Sequence, residues 1–65
     1  MSNNKERNLP QYVLYESRLV GPKGLWYAIN DAIHLKVPLA IHKEDEALVL
    51  RCIENNEIQI EVILV

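Results

Sequence analysis

The sequence predicts a small α+β domain with a three-stranded sheet and two helices in the order β-α-β-α-β. Two segments place apolar residues at helical spacing, and three shorter segments are continuously apolar or alternate between apolar and polar residues, as strands do. In this order each pair of consecutive strands is joined by a crossover, and such connections are right-handed. We therefore expect a small sheet with helices packed on it.

The first strand and the first helix are separated by a turn. Residues 11–20 alternate between apolar and polar side chains, which predicts a half-buried strand. Gly21-Pro22-Lys23-Gly24 follows and has the composition of a turn. Residues 25–35 then place their apolar side chains on one face at helical spacing, and this helix must end before Pro38, which disfavours helical geometry at Val37.

The second half of the chain leaves one ambiguity. Residues 39–42 predict a short buried strand, and residues 58–65 alternate as a final strand. For residues 44–55 we favour a helix, because apolar residues recur at i, i+1, i+4 and i+5 and the acidic residues 44–46 suit a first helical turn. The alternative is a strand that forms a C-terminal hairpin with residues 57–65, which would give β-α-β-β.

Length sets the number of domains and the stability of the fold. We expect residues 9–65 to form one domain and residues 1–8, which contain no apolar side chain after Met1, to form a disordered arm. A chain of 65 residues has a small core, and its lone Cys52 cannot form an internal disulfide. We therefore expect association into a homodimer to add the stability that the small core lacks.

Composition favours a cytoplasmic protein. A single cysteine and the lack of a recognisable signal peptide fit a reducing compartment, and no apolar run reaches the ~18 residues of a membrane span. The net charge of −2 disfavours nonspecific binding to nucleic acid. Residues 1–43 carry six Lys/Arg against three Asp/Glu, a net +3, whereas residues 44–65 carry one against six, a net −5.

The sequence predicts neither an enzyme nor a cofactor site. Cys52 falls on the apolar face of a predicted helix with no histidine near it in sequence, and a buried thiol is inert. His34 and His42 lack the paired short spacings of structural zinc sites. We therefore expect no catalytic residues, no metal and no cofactor.

A polar face of the first long helix is the predicted partner-binding site. Tyr27, Asn30, Asp31 and His34 are spaced three or four residues apart and are neighbours on one helix face. A bare sheet face and an uncovered edge strand would add further docking surface. The leading hypothesis is a non-enzymatic protein-protein interaction module, of the regulator or inhibitor type found in bacteria and phages, that acts as a homodimer.

A second hypothesis rests on Gly21, Lys23 and Gly24. Free N–H groups at a helix N-terminus beside a lysine can bind an anion. This GxxG sequence, within residues 19–41, resembles the backbone-clamping loop of KH-type RNA-binding domains, which implies a small RNA-, DNA- or phosphate-binding protein. That family has a helix before its loop and basic residues after it, whereas a strand precedes the loop in the prediction and Asn30, Asp31 and His34 follow it.

Overall fold

The structure is a computed structural model that describes residues 11–65, so the predicted arm at residues 1–8 lies outside the described residues. The described chain forms β1 (Val13–Tyr15), α1 (Ser17–Val20), α2 (Gly24–Leu35), β2 (Leu39–Ile41), a 3-10 turn (Lys43–Asp45), α3 (Glu46–Asn55) and β3 (Val62–Leu64). The predicted β-α-β-α-β order is confirmed, with α2 and α3 as the crossover helices. The hairpin alternative is wrong, because residues 46–55 are helical and β3 pairs in parallel with β2.

The centre of the sheet is β2. It pairs in parallel with β1 on one side and with β3 on the other, so that Leu14, Ala40 and Ile63 lie side by side in one row. All three residues of β2 are fully buried. A central parallel strand is apolar on both faces, and this accounts for the unbroken Leu-Ala-Ile sequence.

Both crossover helices pack on the same face of the sheet. The core cluster joins Tyr15, Leu39 and Ile41 of the sheet to residues of α2 and to Val49 of α3. The α2 residues of this cluster are Leu25, Ala28, Ile29 and Ala32. No described element packs on the opposite face, where Leu14 is 43% exposed.

The first strand is shorter than predicted. The chain leaves the sheet after Tyr15 and turns into α1, a helix where the alternation of residues 17–20 predicted a strand. The reason is the carboxylate of Asp45, which accepts hydrogen bonds from the backbone N–H of Ser17 at 3.3 Å and from its hydroxyl at 2.6 Å. This cap on α1 comes from a residue 28 positions away, so no local pattern reveals it.

Gly24 allows α1 and α2 to meet closely. A Cβ atom at this position would lie 2.6 Å from the Cβ of Val20, closer than real side chains approach. Gly21, one turn earlier, has φ 73°, which favours glycine and ends α1. The two glycines of the GxxG sequence therefore both have a structural reason for their presence.

We predict that Gly24→Ala destabilises the protein by about 1–3 kcal/mol, because the added methyl group overpacks the contact with Val20. This is opposite to the usual effect, since Gly→Ala inside a helix stabilises by roughly 1 kcal/mol. Urea unfolding followed by circular dichroism measures the change. A stability equal to or above that of the wild type would contradict the close contact, and Val20→Gly should relieve the clash in the double variant.

Candidate functional site

A polar cluster occupies the carboxyl ends of β1 and β2, the edge at which parallel sheets commonly bind ligands. His42 Nε2 lies 2.8 Å from Glu16 Oε2, and each side chain is 33% exposed. Glu16 follows β1 and His42 follows β2, one position past the last paired residues, so both side chains lie on the open face. Sequence reasoning did not pair them, because they are 26 residues apart.

Beside this pair, Ser17 and Asp45 form the second polar contact of the cluster. The Ser17 hydroxyl donates to the buried carboxylate of Asp45, which caps α1, so this hydroxyl is bonded to Asp45 and not to His42. Because the same carboxylate also accepts the backbone N–H of Ser17, the contact fixes the first turn of α1. Within residues 11–65, no group of three or more His, Cys, Asp and Glu side chains could hold a metal ion.

Tyr15 connects β1 to the end of α1. Its ring is 1% exposed, and its hydroxyl donates to the carbonyl of Gly21 at 2.8 Å. Burial raises the pKa of the Tyr15 phenol above its ordinary value of 10.0, and the negative charges of Asp45 and Cys52 raise it further. The phenol therefore remains a donor to Gly21 throughout the neutral range.

The raised pKa of Tyr15 predicts a loss of stability at alkaline pH. Below pH 10 the contribution of the Tyr15 phenol to the free energy of unfolding is fully present. This contribution is lost as the pH rises from 10 through the folded-state pKa, because the phenol ionises at a lower pH in the unfolded chain. Tyr15→Phe should cost about 0.5–1.5 kcal/mol at pH 7 and flatten this alkaline fall. Unfolding measured between pH 7 and 11 tests this, with Tyr27→Phe, on an exposed ring, as the matched control. An alkaline fall as steep in Tyr15→Phe as in the wild type would contradict it.

We predict that Asp45→Ala destabilises the fold by about 1–3 kcal/mol, because it leaves the N–H and hydroxyl of Ser17 without their acceptor. Glu44→Ala is the matched control, since its contact with Arg18 at 3.5 Å is between exposed side chains and contributes little. Thermal unfolding compares the two variants. Equal midpoints would show that Asp45 does not hold α1.

The predicted partner-binding residues all lie on the exposed side of α2. Tyr27 is 74% exposed, and Asn30, Asp31 and His34 are exposed as well. The structure separates them into two groups. Tyr27 and Asp31 line a groove of about 270 Å³ against β1, whereas Asn30 and His34 lie outside it.

The groove lies along the edge of β1 that no other strand of residues 11–65 pairs with, between this strand, α1 and α2. Its apolar lining includes Leu14 of the strand, Leu19 and Val20 of α1, and Tyr27 of α2, all of them more than 40% exposed. Its charged lining consists of Glu16 and Asp31. We call this surface the β1 groove.

Sequence reasoning found only part of the β1 groove. It placed Leu19 and Val20 in a strand, so their position beside Tyr27 was missed. The one sequence signal was the pair Leu19-Val20 itself. Two adjacent large apolar residues directly before the glycine turn do not fit the alternation of a half-buried strand.

The structure also shows the backbone hydrogen bonds of the loop that was predicted to bind an anion. A helix, α1, does precede Gly21, as in the KH-type loop. However, the N–H groups of Gly24, Leu25 and Trp26 donate to the carbonyls three residues before them, at 3.1 to 3.3 Å. These bonds occupy the donors that a phosphate would need, so anion binding at Gly21, Lys23 and Gly24 stays a prediction without further support.

No described helix combines the length and apolar character needed to cross a membrane. The chain matches no protein-family model, no curated protein and no solved structure.

Proposed function

We propose that the protein is a non-enzymatic protein-protein interaction module and that the β1 groove is its docking surface. The groove would take an extended segment of a protein partner as an additional strand on the free edge of β1. The observation that carries the proposal is the combination, in one place, of a free strand edge and exposed apolar side chains from three elements.

The first support is the backbone of β1. Val13 donates its N–H to the carbonyl of Pro38 at 3.0 Å, so this residue is directed towards β2. Backbone groups alternate in direction along a strand, and the N–H and C=O of Leu14 are therefore directed away from β2, towards the groove. A segment added there gains main-chain hydrogen bonds whatever its sequence.

The second support is the apolar surface. Leu19 is 76% exposed, Val20 is 57% exposed and Tyr27 is 74% exposed, and they surround one groove. Single exposed apolar residues are ordinary, but contiguous ones that rim a strand edge are typical of interaction sites. Large aromatic residues such as Tyr27 often dominate the binding energy of such sites.

The third support is charge. Glu16 and Asp31 are the only charged residues that line the groove in the described part of the chain. A strand that fits should therefore carry an apolar residue facing Tyr27 and a lysine or arginine near Asp31, since complementary charge selects partners and orients them.

A library of random twelve-residue peptides displayed on phage tests the proposed function. We expect selection of extended, proline-free peptides with alternating apolar residues and at least one basic residue, and we expect amide chemical shifts to change at Leu14, Leu19 and Tyr27 when they bind. Leu19→Asp should weaken the selected peptides by roughly tenfold or more, because it places a charge in the apolar groove.

Leu50→Asp on α3 is the matched control, because Leu50 is 40% exposed and lies outside the groove. It should leave peptide binding unchanged. Selected peptides that shift residues of α3 or β3 instead, or a library that yields no binder, would contradict a docking function for the β1 groove.

A further inference from the structure

We infer that the occupant of the β1 groove is a second copy of this chain, related by a two-fold axis beside Leu14. This inference rests on the proposed function, since it names the partner of the same surface. In the resulting dimer the two β1 strands run antiparallel, and the two sheets join into one of six strands with both α2 helices side by side.

The strand edge is self-complementary. The N–H and C=O groups of Leu14 are directed outwards, and an antiparallel neighbour centred on the same residue can exchange two hydrogen bonds with it. The Leu14 side chains of the two copies would then be cross-strand neighbours on the open face, roughly 5 Å apart at Cβ, where Leu14 is now 43% exposed. Each copy would cover the apolar edge of the other.

The spacing of the helices fits the same axis. Strands lie about 4.8 Å apart, so the axis would pass roughly 2.4 Å outside β1. α2 packs over β1 and β2 and therefore lies about 5 Å from that axis, which places α2 and its symmetry mate roughly 10 Å apart. Packed helices are about 8–10 Å apart. The two β1 strands and the two α2 helices can therefore be in contact in the same dimer.

Two charged residues, one at the N-cap of α2 and one within this helix, are also placed symmetrically about Tyr27. Lys23 lies four residues before Tyr27 and Asp31 lies four residues after it, so the three side chains follow one line along the helix. When two copies of α2 pack antiparallel with Tyr27 at the axis, Lys23 of one copy lies against the partner's Asp31, and the reverse contact forms as well. Neither Lys23 nor Asp31 has a side-chain hydrogen bond or ion pair within residues 11–65.

The opposite edge of the sheet lacks this complementarity. Glu57 and Glu61 are exposed in the segment that leads into β3, and Glu54 is exposed at the end of α3. In the described part of the chain these side chains near β3 are all acidic, so they offer a second copy no counterpart of the pairing between Lys23 and Asp31, and charged residues beside an edge discourage strand addition. The β1 edge is therefore the edge that fits a second copy.

The test is a pair of charge reversals in the full chain, Lys23→Glu and Asp31→Lys. In a two-fold dimer each variant alone places like charges at both symmetric contacts, so its dissociation constant should rise roughly ten- to thirtyfold. An equimolar mixture pairs opposite charges at both contacts and should restore the affinity. Sedimentation velocity at low and high salt measures each sample, with the dimer identified at twice the chain mass of 7.5 kDa.

Arg51→Glu and Glu54→Lys, at exposed positions on α3, provide the matched control. Each of them alone, and their mixture, should associate as the wild type does. At concentrations low enough that every sample is monomeric, all variants should retain the thermal midpoint of the wild type, because exposed substitutions of this kind change the stability of the monomer little.

Two results would overturn the inference and separate it from the proposed function. A wild type that remains monomeric at all concentrations, while library peptides still bind the β1 groove, removes the second copy but leaves the docking function. A mixture that associates no better than the single variants removes the two-fold contact between Lys23 and Asp31. Failure of both self-association and peptide binding would remove the proposed function as well.

Discussion

The fold depends on one constraint, which is that β2 is paired in parallel on both sides and that all three of its residues are buried. Parallel neighbours need crossovers, and with the order β1-β2-β3 both right-handed crossovers fall on the same face. A chain of 65 residues can supply only one layer of helices in this way. Within residues 11–65 this leaves one open face and two strand edges without a paired neighbour, so the topology sets the surfaces available for binding before any side chain is considered.

The shape of the β1 groove depends on buried polar contacts between distant parts of the chain. Asp45 holds the first turn of α1, and Tyr15 bonds to the carbonyl of Gly21 at its other end. α1 is only four residues long and would not be stable by itself. Because both of its ends are fixed, Leu19 and Val20 are held beside the strand edge before any partner arrives, and a preformed surface loses less entropy on binding.

The long elements could be predicted from sequence and the groove could not. The periodicity of residues 25–35 and 44–55 identified both crossover helices, and the apolar run at β2 identified the central strand, because each is a local pattern. Tyr27 and Asp31 were found for the same reason. α1 was missed because its cap, Asp45, is distant in sequence, and the contact between Glu16 and His42 depends on strand register, which local periodicity does not give.

Free edges also explain why a two-fold contact suits this sheet better than other modes of association. If the β1 edge of one copy paired in parallel with the β3 edge of the next, each addition would expose a new edge and the chain would grow into open filaments. The opposite net charges of the two halves of the sequence favour this head-to-tail contact. Lys23 and Asp31, placed symmetrically about Tyr27, favour the closed two-fold dimer instead. Pairing of β1 with itself removes two edges at once, and the edges that remain, at β3, are flanked by Glu57 and Glu61. Charged residues beside an exposed edge discourage further strand addition, so association would stop at two copies.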